Sequence, residues 1–490
     1  MNPESAPHLR PGELRDQVAR GMAWNLAEKV GTALMQMVVS LIILRLLTRD
    51  DMGLMAILTA VAAVALVLAD SGFSQALIRK EHPAATDFKS VFLFNVTVSW
   101  LLYGLFVAAA PAAARFYGMP ELTRLAPLFF LLLPVNALCT VQQAILTRQF
   151  RFALLSKVTF ASWFVSGLAA IVLALAGFGV WSIVVQRVLQ TAVRALLLWY
   201  FSAWKPQGGG SVAALRRMAP YSLSLMTTEL INTFYNKIPQ FIIGRLWPVG
   251  VLGAFDQAVK LKDQPVNAAV QSMQNVTFPA LTRIGGDAPR FAEVYRQIVM
   301  LTAYLMFPVM TGLAVVAPDL FGTLLGEKWM AAVPYFEVIC LAGLFYPIAM
   351  VAFTVLKVRS GGGIILRIEL LKKGVMTLVF VATIPWGVQA VAWGLVAIAA
   401  CEMAVNVGAS LRYTTLRAVQ LLRSLLPVAL TTAAMYGAVR LTMQLLPWGG
   451  LLRLLTEIGT GMAVYVALSA LFGLEAFRTT TALVRRQLGR

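Results

Sequence analysis

Apolar runs of about twenty residues recur along almost the whole chain, and that length is what constrains its fold most. A helix of about twenty residues crosses the hydrocarbon core of a bilayer. About fourteen such spans can be drawn, near 21–48, 53–78, 89–110, 123–147, 153–176, 180–203, 219–246, 251–283, 292–317, 332–357, 364–386, 389–411, 423–445 and 451–474. Composition agrees: 59% of residues are hydrophobic and 13% charged. Soluble domains carry about a quarter charged residues. The expected class is an all-α, polytopic integral membrane protein.

The first two spans recur in weaker form about 200 positions later, so the chain is expected to be built from two halves. Arg45-Leu46 is followed by Gly53, and Arg245-Leu246 by Gly253 at the same spacing. Ala76-Leu77-Ile78-Arg79 closes the first unit, and Ala280-Leu281-Thr282-Arg283 closes the second. A third echo joins the stretch at Phe116–Glu121 to that at Leu324–Trp329. The segment KPQGGGSVAALRR, Lys205 to Arg217, combines Pro, Gly, Ser and basic residues near the point where the repeat restarts. The expected organisation is a basic lead-in at 1–20, an N-lobe of six helices at 21–204 and a linker at 205–218. A C-lobe of six helices follows at 219–420. Two additional helices at 421–476 and a basic tail at 477–490 close the chain.

The formal net charge is +19, but its distribution is topological. Arg10, Arg15, Arg20, Lys205, Arg216, Arg217, Lys357, Arg359, Arg367, Lys372, Lys373, Arg412, Arg417 and Arg423 fall in alternate connections. The intervening connections hold only Arg45, Arg49, Arg115, Arg124, Arg245, Lys328, Arg440 and Arg453. Positive residues collect on the cytoplasmic side, which places both termini there and makes anionic headgroups the neighbours, not nucleic acid. The first twenty residues lack a short apolar core before a small-residue cleavage site, so helix one is expected to do its own targeting.

Cys139, Cys340 and Cys401 are odd in number and lie in apolar segments, giving neither a disulfide framework nor a metal site. His8 and His82 lie in the tail and a loop. There is no zinc spacing, nucleophile elbow or phosphate-binding glycine loop, and no outer loop is long enough for a catalytic domain. Catalytic residues, metals and cofactors are therefore not expected.

The chemistry lies in polar stripes. Asn25, Lys29, Thr32, Gln36 and Ser40 recur on one face of helix one. Glu229, Asn232, Asn236 and Gln240 do the same in helix seven, beside Lys237. Asp256, Lys260, Asp263, Asn267, Gln271 and Gln274 form the longest stripe, in helix eight, interrupted by Pro265. Amides and hydroxyls can serve as glue between packed helices. Charges in hydrocarbon are expensive and mark a water-filled cavity instead, and this number of them favours the cavity. Cations among amides suit an anionic, polyhydroxylated cargo, because ammonium groups neutralise phosphate and amides pair with sugar hydroxyls. Asp256 and Lys260, or Lys260 and Asp263, can also neutralise each other along the helix. Asp70 has two readings: a cap or link to the basic inner loop, or a gate pairing with inner cations. Arg187 and Arg194 are read as headgroup contacts.

The stretches RLLTRDDMGLMAI, DSGFSQALIRK and LGEKWMAAVPYF (325–336) resemble the Wzx-type polysaccharide flippases of the multidrug/oligosaccharidyl-lipid/polysaccharide exporter superfamily. The resemblance covers most of spans one to twelve. It implies two pseudo-symmetric six-helix lobes around a central cavity, alternating access, and a cargo of oligosaccharide linked through diphosphate to a polyprenol. The expected function is translocation of such repeat units across the bacterial inner membrane for exopolysaccharide, capsule or O-antigen. Lys29, Lys237 and Lys260 would hold diphosphate or acidic sugars. Gln36, Asn232, Asn236, Asn267 and Gln271 would meet the glycan. Glu229, Asp256 and Asp70 would couple or gate. Membrane lipids, a polysaccharide polymerase and chain-length machinery are the expected partners. The alternative is a drug or organic-cation antiporter of the same superfamily, which would want an acidic cavity.

Overall fold

The computed structural model describes residues 31, 35–202, 204–206, 209–284, 287–360, 362–445 and 449–488. It divides into two compact units, Met1–Gly253 and Ala254–Arg490. Every regular element among the described residues is helical.

In the first unit the helices are α1 (Met35–Leu46), α2 (Arg49–Asp70), α3 (Phe73–Arg79), α4 (Ala85–Tyr117), α5 (Glu121–Phe130), α6 (Leu132–Arg148), α7 (Phe152–Leu175), α8 (Trp181–Phe201) and α9 (Val212–Leu246). α10 (Val249–Arg283) begins at its edge and runs into the second unit. There follow α11 (Ala288–Val315), the short α12 (Ala317–Leu320), a π turn and a 3-10 turn, and then α13 (Val333–Arg359). The chain ends with α14 (Gly362–Thr383), α15 (Val388–Leu411), α16 (Ala418–Leu445), α17 (Gly450–Leu471) and α18 (Glu475–Leu488).

Ten helical segments among the described residues are long and apolar enough to cross a membrane. They are α2, α4, Glu121–Arg148 containing α5 and α6, α7, α8, α11, Glu327–Arg359 ending in α13, α15, α16 and α17. The other four expected spans coincide with α1, whose described part is short, and with α9, α10 and α14. Those three are long but too polar for the same criterion. The chain is a multi-pass membrane protein. Its outward-facing side chains match lipid: Phe164, Leu168, Val172 and Leu175 recur along one exposed face of α7.

Local chemistry explains the conspicuous motifs. In RLLTRDD, the Thr48 hydroxyl accepts from the Asp51 amide at 3.1 Å while an Asp51 carboxylate oxygen accepts from the Thr48 amide at 2.9 Å. This capping box starts α2. In DSGF, Ser71 (φ 47°) and Gly72 (φ 74°) turn left-handed and break α2 from α3. A Cβ at Gly72 would sit 2.5 Å from the Ser222 carbonyl oxygen of α9. Glycine is required there both by conformation and by space.

The repeat glycines have a joint role. A Cβ on Gly53 would lie 2.0 Å from the Val249 carbonyl oxygen, and one on Gly253 would lie 1.9 Å from the Arg49 carbonyl oxygen. The first turns of α2 and α10 therefore cross backbone to backbone. The sequence echo is a small-residue contact between equivalent helices.

Packing in the first unit centres on Phe73, Leu77, Val91, Phe92, Val141 and Met218, flanked by Phe88, Trp199 and Trp204. In the second unit the core joins Phe291, Tyr295 and Val299 of α11 to Val351 and Val355 of α13 and to Leu421 and Val428 of α16. α17 and the helical tail α18 are bound into this unit. The Tyr465 hydroxyl of α17 donates to the Tyr304 carbonyl at 2.8 Å, and Glu475 of α18 meets Arg296 of α11 at 2.6 Å.

Candidate functional site

In the first unit, α9 carries the polar face. Glu229 and Asn236 are exposed, Asn232 and Lys237 half-buried, and Gln240 buried. They recur at helical spacing, with Lys237 one residue further round. Among the described residues, none of the side chains of Glu229, Asn232, Asn236 and Lys237 has a hydrogen-bond or ion-pair partner. Unpaired charges and amides on a long helix of a membrane protein are stable only against water or a polar ligand. On α1, Gln36 is half-buried and Ser40 exposed. Lys29 lies outside the described residues.

Asp70 ends α2, half-buried. Ser74 donates to its carboxylate, and Asn95 Nδ2 lies 3.5 Å from the same oxygen and 3.2 Å from Thr140 Oγ1. A hydroxyl of α3 and an amide of α4 thus meet this carboxylate, and the same amide also donates to a hydroxyl of α6. The carboxylate makes no ion pair among the described residues. The two arginines of the sixth span turn inward: Arg194 donates to Gln143 Oε1, and the Arg187 guanidinium stands 5.7 Å from the Trp163 ring. Each finds a partner on a neighbouring helix.

In the second unit, α10 treats its charges differently. It runs through Pro265 as one helix. Asp256, buried, pairs with Lys260 at 2.6 Å. Lys262 pairs with Asp263 at 2.5 Å, so Asp263 takes Lys262 and not Lys260. Beyond Pro265, Asn267 and Gln271 are exposed, and Gln274 Nε2 approaches Met350 Sδ at 3.9 Å.

A further charged group was not singled out from the sequence. Lys372 of α14 is 6% exposed, pairs with Glu369 at 2.5 Å and stands 4.8 Å over the Phe353 ring. Lys357 stands 4.9 Å over the same ring. Ammonium groups of α13 and α14 thus meet over one ring, with the Glu369 carboxylate beside Lys372. The signal was present in RIELLKK, which carries four charges in seven residues of a span. Charge bookkeeping for topology had assigned its basic residues to a loop.

No group of three or more His, Cys, Asp or Glu side chains among the described residues could hold a metal ion. The arrangement offers binding groups and charge balance.

Fold and polar faces together define the class: an all-helical, multi-pass membrane protein with a transporter fold. The structure matches the lipid II flippase MurJ in an inward closed conformation with a TM-score of 0.70, at 14% identity, covering 95% of this chain and 100% of that one. It also matches an inward-facing multidrug resistance MATE family transporter of the MOP superfamily, with a TM-score of 0.59 at 14% identity over 81% of this chain and 95% of that one.

The family follows from the sequence. Residues 42–334 match the family described as "Polysaccharide biosynthesis protein", and the chain belongs to it. It is 26% identical to the succinoglycan biosynthesis transport protein ExoT of Rhizobium meliloti (strain 1021), over 67% of each chain. It is 23% identical to the teichuronic acid biosynthesis protein TuaB of Bacillus subtilis (strain 168), over 67% of this chain and 68% of that one. It is 22% identical to the lipopolysaccharide biosynthesis protein WzxC of Escherichia coli (strain K12), over 68% of each.

Proposed function

We propose that this protein is a flippase, not an enzyme, that carries polyprenyl-diphosphate-linked oligosaccharide repeat units across the bacterial inner membrane by alternating access. The products would be exopolysaccharide, capsule or O-antigen, and both termini would lie in the cytoplasm. The family and its transport-named relatives support this class. The observation that carries the cargo is the unpartnered face of α9, where a carboxylate, an ammonium group and two amides share one helix side. An ammonium group suits a phosphate or acidic sugar, and amides suit sugar hydroxyls. Lys237, with Lys29 from helix one, takes the anionic part. Asn232, Asn236, Gln36, Asn267 and Gln271 meet the glycan. Glu229, Asp70 and the Asp256–Lys260 pair couple or gate. Lys260 acts through that pair, since its ammonium is already matched by Asp256. Residues 21–204 and 219–420 act as the two lobes, joined by the 205–218 linker. Polymerase and chain-length machinery receive the product outside.

The test is a clean deletion with lipid-linked intermediates weighed by mass spectrometry. Repeat units accumulating on the cytoplasmic face, with no polymer outside, are the expected result. Unchanged glycans and intermediates in a strain without a redundant transporter would overturn it and turn attention to drug efflux.

A further inference from the structure

The end of the first unit that holds the loops after α3, α6 and α8 contains a cavity of about 550 Å³. Its lining includes Phe88, Arg148, Gln149, Arg151, Ser202 and Trp204. This is the end the charge pattern assigns to the cytoplasm.

Two of these cations differ. The Arg148 guanidinium donates to the carbonyls of Leu77 and Ile78, each at 2.9 Å, to that of Lys80, and to Glu81 at 3.0 Å. Its donors are spent closing the C-terminal end of α3, so it builds the wall. Arg151 is exposed, and its side chain has no protein partner among the described residues. It precedes the first residue of α7, where the helix dipole adds positive field. The lining is also aromatic: Phe88 and Trp204 take part in it with their rings 6.5 Å apart, and Trp204 packs 5.8 Å from Phe92 behind them.

The loop itself is built for an interface. Phe150 and Phe152 flank Arg151 and are 80% and 46% exposed. Phe150 adopts φ 55°, a left-handed conformation that is costly for a bulky side chain. An exposed aromatic in that conformation, next to an unmatched cation, fits insertion at headgroup depth and not a water-facing turn.

We propose that this cavity is a binding site for the phosphate head of an anionic bilayer phospholipid, held by Arg151 and Gln149, with its glycerol and upper acyl chain against Trp204 and Phe88. A lipid source is favoured over free phosphate because the cation is ringed by exposed and half-buried aromatic surface. The site rests on the topology above and is independent of the cargo carried along α9.

The full-length protein in phosphatidylcholine nanodiscs with graded phosphatidylglycerol tests this by native mass spectrometry and thermal unfolding. Wild type should retain phosphatidylglycerol and unfold at a higher temperature as its fraction rises. Arg151→Gln should weaken that retention about tenfold, the scale of one charge-assisted hydrogen bond. Arg151→Lys should keep most of it. If Arg151→Gln lowers the unfolding temperature in lipid-free detergent, Gln149→Glu, which sets an acid at the mouth, carries the test and should remove the preference. Equal retention of phosphatidylglycerol and phosphatidylcholine by wild type would overturn the proposal, as would an unchanged preference in these variants. Equal stabilisation by inorganic phosphate alone would assign the cavity to a free anion. Displacement of phosphatidylglycerol by an equimolar amount of undecaprenyl phosphate would assign it to the cargo. Either result would overturn the assignment to a bilayer phospholipid. Loss of flipping by a variant with normal lipid retention would concern the transport reading and not this site.

Discussion

α9 and α10 follow one another in the chain and carry polar stripes of similar spacing, yet they handle charge in opposite ways. On α9, Glu229 and Lys237 have no protein partner among the described residues. On α10, Asp256 and Lys260 lie 2.6 Å apart and Lys262 and Asp263 2.5 Å apart. A matched pair lowers its own cost in a low-dielectric setting and leaves little for a ligand. An unmatched pair keeps its full capacity to bind and needs water until cargo arrives. α10 is therefore the helix whose charges neutralise each other, and α9 the one whose charges are left open to water or a ligand. Stability and transport should separate when the two are mutated.

The largest effect should come from neither stripe but from the crossing of the first turns of α2 and α10. Gly253→Ala places a methyl group 1.9 Å from the backbone oxygen of Arg49, and backbone cannot swing aside as a side-chain end can. The expected loss is about 3 kcal/mol or more, at the upper end of overpacking. It should be read as a lowered unfolding temperature in detergent and poor accumulation in the membrane. Gly53→Ala should behave alike. A tolerated alanine at either position would show that the crossing is loose.

Next in size is the α10 pair. Lys260→Met leaves the buried Asp256 carboxylate without its ammonium partner. Since the Lys260 side chain is 42% exposed, the expected cost is about 1–2 kcal/mol, below that of a fully buried pair. Asp256→Leu together with Lys260→Met should recover most of it. A double-mutant cycle on unfolding temperature checks this, and additivity of the two changes would break the pairing argument.

The membrane class was legible because bilayer thickness sets helix length, and Gly53 and Gly253 stood out because each follows an Arg-Leu pair at the same spacing. The function of Gly53 and Gly253 as a mutual crossing was not legible, since it depends on which backbones approach. The Asp256–Lys260 pair could be anticipated from their four-residue spacing. On α14 the Glu369–Lys372 pair follows likewise from three-residue spacing, but the seat of Lys372 over the Phe353 ring of α13 does not, since only packing brings those helices together. The contacts of Arg187 with Trp163 and of Arg194 with Gln143 were not legible either, because the partners are distant in sequence. Helix spacing tells which residues share a face but not what that face meets.

The smallest effects on stability should fall on α9, and there the contrast with α10 is sharpest. Glu229→Gln, Lys237→Gln and Asn236→Ala remove groups with no protein partner, so unfolding temperature should move by no more than about 0.5 kcal/mol equivalent. Transport should not be spared. Lys237→Gln should slow export at least about tenfold, since one charge-assisted contact to phosphate is lost. Asn236→Ala should slow it about two- to fivefold, the scale of one neutral hydrogen bond to a sugar. The two losses differ because only the first involves charge, and raised salt should narrow the gap between them if water fills the space around Lys237. Export is measured as polymer released by a deletion strain carrying each variant at matched membrane levels. If Lys237→Gln exports normally while Lys260→Met does not, the division of labour runs the other way. Cargo would then be bound by the paired charges of α10 once they separate, and the open face of α9 would serve only to hydrate the path.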